Sequence, residues 1–221
     1  MTVSPMHVEM TSAGSKSHAR VSVVNNSNTP LPIEAVLQRL TLDESGKSKL
    51  TKAGEDFLVM PPQAMIPPGA TQNFRIQWLG DPLMQKSESF ILQLNQIPVK
   101  MAPGQSGVQV VMSMGVMLNV APVNGTPALN LISTSVSQSK SGKRYLSVLV
   151  QNPSATHALI SQSTLRLQAG SWSQTLSPGE LGDRVGIGLV QPGRRRKFTF
   201  PIDVPAGFDR VAASIEFPSR R

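Results

Sequence analysis

The sequence predicts an all-β protein, and two observations lead to that prediction. Short segments in which apolar and polar residues alternate recur along the chain, and turn-forming residues follow each of them, as in strands of half-buried sheets. The composition agrees, because the 221 residues include 18 prolines and 17 glycines and only 5% aromatic residues. Proline and glycine in such numbers interrupt helices and supply turns. A predominantly helical protein is therefore not expected.

The first half of the chain contains about seven such strands. His18–Val23 and Phe74–Trp78 alternate most regularly, and Asn25–Pro30 has the residues of a loop. Ile33–Leu42 also alternates, but Glu34–Leu40 within it would suit a helix, so its assignment stays open. Seven short strands separated by turns are typical of an immunoglobulin-like sandwich. The other predicted strands of this half are Val3–Met10 (interrupted by Pro5), Phe57–Met60, Ser89–Leu94 and Val108–Val120.

The second half repeats the strand pattern after a linker. Ala121–Pro127 contains two prolines and a glycine, and it is the best linker candidate. We therefore predict an N-terminal domain over 1–121 and a C-terminal domain over 122–221, the latter an ordinary domain size. The predicted strands of the second domain are Leu129–Val136, Arg144–Val150, Ala158–Gln162, Ser163–Ala169, Val185–Val190, Lys197–Ile202 and Val211–Phe217.

The longest apolar run of the chain is Val108–Val120, just before the linker. Its even-numbered residues are all apolar, whereas the odd-numbered ones are mixed, so one face of the strand is fully apolar. One interpretation is a core strand of the first domain. The other is a strand whose apolar side chains are offered to another polypeptide. The run itself leaves both open.

The charge of the chain does not point to nucleic acid. The net charge is +8, but the positive residues are scattered, apart from Arg194–Lys197 and Arg220–Arg221. No aromatic residues lie among them to stack on bases. Nucleic-acid binding is therefore not expected.

The sequence lacks the usual signatures of an enzyme. Cysteine is absent, which excludes thiol nucleophiles and cysteine-ligated metals. The three histidines, His7, His18 and His157, have no metal-ligand spacing, and no nucleophile or phosphate-binding motif occurs. An acid–base pair assembled in space stays possible on sequence grounds. We expect no catalytic residues, no cofactor and no metal.

The N-terminal residues do not form a secretory signal. Met1–Pro5 has no basic region followed by an apolar one, so either the protein stays inside the cell or its signal peptide is missing from this numbering. The run Val108–Val120 is also too short and too polar for a membrane-spanning helix. Membrane insertion is not expected.

From Val3 to Pro122 the order of motifs resembles the periplasmic pilus chaperones of the chaperone–usher pathway. Each motif alone is weak, but their order and spacing together are specific. The form Phe-Arg-Ile-Gln-Trp at 74–78, with Pro5 in the first strand, is most similar to the archaic, Csu-type branch. The motifs are Gly14, Asn25-Asn26 before Leu31-Pro32, Phe57–Gln63, Pro68–Trp78, Ser87–Leu92, Ile97–Val99 and Ala121-Pro122.

This resemblance implies a fold and a function. The fold is two immunoglobulin-like domains set at an angle with a cleft between them. The function is that of a non-enzymatic periplasmic chaperone, which binds pilin subunits by donating a strand and delivers them to an outer-membrane usher. By position, the donor residues that would fill a pilin groove are Val108, Val110, Met112 and Met114. Strand addition of this kind uses main-chain hydrogen bonds for affinity and alternate side chains for pockets.

The sequence departs from the better-known family members at the group that anchors the carboxyl terminus of the pilin. Those members use an arginine in the first strand and a lysine in the last, where this chain has Glu9 or its neighbour His7, and Met117. Candidate substitutes are Arg20, Arg75 and Lys100. Alternatively, the resemblance implies that Arg75 belongs to an internal charge network, and its companions there would be Glu88 and Asp209.

Two further expectations complete the interpretation. The alternative function is a structural or adhesive two-domain β protein in which the apolar run is only a core strand. For the chaperone, an exposed apolar strand edge favours self-association. We therefore expect a self-capping homo-oligomer when no pilin is bound.

Overall fold

The computed structural model describes residues 1–53, 55–98, 110–205, 207–208 and 210–218. Strands dominate it, and the prediction of an all-β protein is confirmed. The chain divides into two compact units. The first comprises Met1–Leu40, Leu50–Met84 and Glu88–Val123, and the second comprises Thr41–Lys49, Gln85–Ser87 and Asn124–Arg221. The domain boundary at 121/122 stays a prediction.

The first unit is a sandwich of two sheets. One sheet has the strand order β1-β3-β8-β6, and the other has the order β2-β10-β9-β4-β5, with β7 also paired to β4. A 3₁₀ turn at Ser15–Ser17 precedes β3. The strands are β1 (Thr2–Ser4), β2 (His7–Thr11), β3 (His18–Val24), β4 (Leu31–Leu42), β5 (Ser48–Lys52), β6 (Phe57–Met60), β7 (Gln63–Ile66), β8 (Thr71–Trp78), β9 (Glu88–Gln96) and β10 (Ser113–Ala121).

Alternation along these strands builds the first core. On β8 the side chains of Phe74, Ile76 and Trp78 are buried between the sheets, while the residues between them face outward or lie half-buried. The ambiguous segment within Ile33–Leu42 is strand rather than helix. It pairs with β9 along Ile33–Leu40, so tertiary pairing decides what local pattern left open.

The N-terminal segment of the chain contributes one strand to each of the two sheets. β1 pairs antiparallel with β3 in one sheet, and after Pro5 the chain continues as β2 in the other sheet. There β2 runs parallel to β10, from Met117 opposite His7 to Ala121 opposite Thr11. The start of the chain therefore covers part of one edge of β10.

In its described residues the second unit has three smaller sheets, with strand orders β11-β12-β17, β13-β16 and β15-β14-β18. Their buried side chains form a separate core that includes Leu146, Val148, Leu165 and Phe200. A 3₁₀ turn lies at Ile160–Gln162. The elements are β11 (Asn130–Gln138), β12 (Arg144–Gln151), β13 (Ala158–Leu159), β14 (Thr164–Ala169), β15 (Trp172–Leu176), α1 (Pro178–Val185), β16 (Leu189–Val190), β17 (Arg195–Pro201) and β18 (Ala212–Glu216).

Two sequence predictions in this unit are wrong in part. The predicted strand Val185–Val190 is a strand only at β16, because Val185 ends helix α1 and two glycines with positive φ separate the two elements. The predicted strand Ala158–Gln162 is a strand only over two residues, and it continues as the 3₁₀ turn. Helix α1 itself was not predicted.

The two units share a loop motif of five residues, Asn-x-Ser-x-Thr. In the second unit, Asn152 Nδ2 donates to the carbonyls of Thr156 and Val190, at 2.8 and 2.9 Å, and its Oδ1 accepts from Ser154. In the first unit, Asn25 Nδ2 donates in the same way to Thr29 and Ile66, at 2.8 and 2.9 Å. Both asparagines are fully buried.

Helix α1 begins with a capping box, and removing its Ser177 hydroxyl is expected to lower the free energy of unfolding by about 1 kcal/mol. Ser177 and Glu180 exchange hydrogen bonds, and these bonds lower the pKa of the Glu180 carboxyl. The part of the stabilisation that depends on the ionised Glu180 carboxyl is therefore complete above that carboxyl's unfolded pKa and is lost as pH falls through its lower folded pKa. Urea unfolding of Ser177→Ala at pH 7 and at pH 3 checks both points. An equal difference from wild type at both pH values would contradict the role of Glu180.

Candidate functional site

The apolar run before the linker changes from exposed to buried along its length. Val116, Leu118 and Val120 are fully buried in the first core, and Met114 is half-buried against it. Ahead of them Met112 is 41% exposed and Val110 is 75% exposed. The interpretation as a core strand therefore holds for 116–120 but not for 110–112. Val108 lies outside the described residues.

Strand β10 has a neighbour along its whole length on one side only. It pairs antiparallel with β9 from Ser113 opposite Asn95 to Val120 opposite Glu88, and the Gln96 N–H continues this ladder to the carbonyl of Met112, at 2.9 Å. On the other side, β2 begins to pair only at Met117. Within the described ranges no strand pairs with 113–116 on that side. We call the segment Val110–Val116, with its unpaired side, the open edge.

The main-chain groups at the open edge are directed outward. The N–H of Met117 donates to the carbonyl of Met6, at 3.0 Å, so this residue's backbone groups face β2. In an antiparallel pair successive residues direct their backbone groups to alternate sides, so those of Ser113 and Gly115 face the same way, beyond the end of β2. The open edge also contains no charged side chain to discourage pairing. It can accept one additional strand.

A cluster of polar side chains lies beside the end of the open edge, where β2 begins to pair with β10. Asn119 is fully buried, and its Nδ2 lies 2.9 Å from Glu9 Oε1 and 3.0 Å from His7 Nε2. His7 Nε2 and Glu9 Oε1 are 2.6 Å apart. These three side chains include a carboxylate and no lysine or arginine. An incoming carboxylate would meet the negative charge of Glu9 at this point.

An internal charge network lies at Arg39, which sequence reasoning missed. One guanidinium nitrogen of Arg39 pairs with Glu88, and the other lies 2.6 Å from Asp56 Oδ2. The guanidinium also lies over the ring of Phe90, 5.0 Å from its centroid. The implied pairing of Glu88 with Arg75 is therefore corrected, because Arg75 lies on β8 in the other sheet and its side chain is exposed. Asp209 lies outside the described residues.

The proposed substitutes for the anchor do not meet at the open edge. Arg20 and Arg75 are opposite each other on β3 and β8, in the sheet that does not contain β10. Lys100 lies outside the described residues. Anchoring of the pilin carboxyl terminus by Arg20, Arg75 or Lys100 therefore stays a prediction.

The basic segment 194–197 is not a uniform charged surface. The Arg196 guanidinium is partly buried over the ring of Phe198 and donates to the carbonyl of Leu189, at 2.7 Å, and burial lowers its pKa.

None of the helices in the described part of the chain is long and apolar enough to cross a membrane.

Comparison with known families decides what kind of protein this is. Residues 1–125 match the family model described as "Pili and flagellar-assembly chaperone, PapD N-terminal domain". The chain belongs to this family of assembly chaperones. The resemblance seen in the motifs is thereby confirmed at the level of the family, which consists of chaperones rather than enzymes. No curated protein matches the chain by sequence.

Solved structures show the same fold over both units. The chain is similar to the class 5 fimbriae chaperone CfaA, with 11% identity, a TM-score of 0.59, and coverage of 98% of this chain and 99% of that one. It is also similar to a chain of the CsuC–CsuE chaperone–tip adhesion subunit pre-assembly complex from the archaic Csu pili of Acinetobacter baumannii. That match has 15% identity, a TM-score of 0.54, and coverage of 89% of this chain and 88% of that one. A chain of the Salmonella enterica SafA pilin–SafB chaperone complex matches with 17% identity, a TM-score of 0.55, and coverage of 90% of this chain and 83% of that one. These likenesses confirm the two-domain, immunoglobulin-like fold.

Proposed function

We propose that this protein is a periplasmic chaperone that holds pilin subunits by donating the open edge and then delivers them to an outer-membrane usher. The observation that carries the proposal is the exposure of Val110 and Met112 just ahead of an apolar strand that is unpaired on one side. In a protein without a strand-adding partner, such an edge is an aggregation hazard. Membership of the pilus chaperone family supplies the class of partner.

Strand addition accounts for the residue types at the open edge. Main-chain groups of Ser113 and Gly115 are available for a ladder, while alternate side chains fill pockets in the partner. The thioethers of Met112 and Met114 are flexible, which suits grooves that differ between pilins. Burial of the four donor side chains in a pilin groove would contribute roughly 6–12 kcal/mol gross to binding, before ordering and association costs. These side chains are Val108, Val110, Met112 and Met114.

Charges at the donor positions are expected to abolish pilin binding. Val110→Asp combined with Met112→Asp would bury two carboxylates in an apolar groove, which is strongly unfavourable without partners. Co-expression with a pilin from the same pilus system, followed by affinity purification, measures the complex. We expect at least a tenfold loss of co-purified pilin.

The matched control is Val123→Asp combined with Ile132→Asp. These residues are 56% and 43% exposed, similar to the donor pair, but Val123 follows β10 and Ile132 belongs to β11, so neither is part of the open edge. The control should retain pilin. An undiminished complex with the donor variant, or equal losses with both variants, would refute the donor assignment.

The periplasmic location, the usher and the self-capping oligomer stay predictions of this proposal. The location is the one that the resemblance to periplasmic pilus chaperones implies. Self-capping follows from the unpaired edge, since a second copy offers a strand of the same composition. The anchor for the carboxyl terminus of the pilin also stays a prediction, because Glu9 and His7 stand where the resemblance implies a permanent cation.

A further inference from the structure

The sheet that does not contain β10 carries two arginines side by side on its outer face. Arg20 on β3 and Arg75 on β8 are directly opposite in the antiparallel register, and both side chains are exposed. Like charges in directly opposite positions destabilise a strand pair. Among the described residues, neither guanidinium forms an ion pair or a side-chain hydrogen bond. The two charges therefore do not stabilise this sheet.

Exposed apolar side chains lie next to this arginine pair. Met60 on β6 is opposite Arg75 and is 51% exposed, and Leu58 on the same strand is 44% exposed. Together with His18, these four side chains line a concavity of about 670 Å³ within the first unit. We call this surface the arginine face. It combines two unpaired cations with a small apolar area.

The composition of the arginine face decides between kinds of partner. Guanidinium groups pair with carboxylates in bidentate geometry, and Arg20 and Arg75 are both free to do so within the described structure. Nucleic acid would favour large aromatic side chains for stacking, and the described residues that line this concavity include no phenylalanine, tyrosine or tryptophan. A small inorganic anion would not use Leu58 or Met60. An acidic protein segment with apolar neighbours uses both parts.

We propose that the arginine face binds an extended acidic segment of a partner protein. Carboxylates of the segment contact Arg20 and Arg75, and its apolar side chains pack on Leu58 and Met60. The surface belongs to the sheet without β10, so this interaction is separate from pilin binding at the open edge. Either proposal, peptide binding at the arginine face or pilin binding at the open edge, can therefore fail while the other holds.

The test uses a fluorescein-labelled nine-residue peptide of alternating Glu and Leu, with fluorescence anisotropy as the readout. Wild-type protein should bind it saturably at low salt, and binding should weaken as salt screens the charges. Arg20→Gln combined with Arg75→Gln should weaken binding at least tenfold. The same variant should not lose thermal stability, because the substitution removes a repulsive pair.

The matched control neutralises two cations on an exposed edge strand of the other sheet, Lys49→Gln with Lys52→Gln. It removes the same charge and should bind the peptide as wild type does. Several outcomes would overturn the proposal: no saturable binding by wild type, equal weakening by the control, or equal binding of a Lys and Leu peptide. Tighter binding of a single-stranded oligonucleotide than of the acidic peptide would also overturn it. The variant Val110→Asp with Met112→Asp should bind the acidic peptide as wild type does, which separates this result from a failure of the open edge.

Discussion

Replacing Asn152 with alanine is expected to lower the free energy of unfolding of the second unit by about 3 kcal/mol. The Asn152 side chain is fully buried and satisfies two carbonyls and the Ser154 N–H. Alanine would leave the carbonyl of Val190 and the N–H of Ser154 without their Asn152 partner, while the carbonyl of Thr156 keeps Ser154 Oγ as a donor. A buried polar group that loses its partner costs about 1–3 kcal/mol, and here at least two do so.

Asn25→Ala provides the matched test in the first unit, where the same hydrogen bonds hold Thr29 and Ile66. Each unit contains one tryptophan, Trp78 in the first and Trp172 in the second. Urea unfolding can therefore be followed separately, in Trp172→Phe and Trp78→Phe backgrounds. Each alanine variant should shift the transition of its own unit. A loss below about 1 kcal/mol for both variants would show that water replaces these bonds.

Replacing Phe90 with alanine is expected to lower the free energy of unfolding of the first unit by about 4 kcal/mol. Phe90 is fully buried, and its ring lies edge-on to Phe57, with 4.8 Å between centroids, and 5.8 Å from Trp78. The Arg39 guanidinium lies over the same ring. Alanine would leave a cavity and would also remove these ring contacts, each worth about 0.5–1.5 kcal/mol.

The control for Phe90 is Phe200→Ala, which removes an equally buried ring from the second core. Both variants should be destabilised in urea, but only Phe90→Ala should reduce pilin capture. Phe90 lies opposite Leu118 on β10, so its loss loosens the strand that carries the open edge. Equal pilin capture by the two variants would contradict this link.

Side-chain period was enough to predict most strands and the apolar face of the run before the linker. Phe74, Ile76 and Trp78 are buried as their spacing indicates, and the apolar parity of the 108–120 run continues from the core to the exposed end. Both are local properties, because the pleat places alternate residues on one face whatever the neighbouring strand is. Exposure at Val110 required the structure, since it depends on which parts of the fold pack over this end of the run.

Long-range contacts are what the sequence did not predict. Arg39 joins residues 17 and 49 positions away, and nothing in the local pattern distinguishes it from Arg75. Parallel pairing of β2 with β10 joins opposite ends of the first unit in the same way. Helix α1 is different, because Ser177-Pro178-Gly179-Glu180 is a capping box with proline at the first helical position, a local signal that was present.

The β2 strand also fixes where an added strand has to end. In the described part of the chain, the open edge stops at Val116, because β2 pairs with β10 from Met117 onward. A partner segment that continued along the edge past Val116 would have to leave the sheet or displace β2. Residues near the start of the chain thus set one end of the added strand, although they supply no donor side chain.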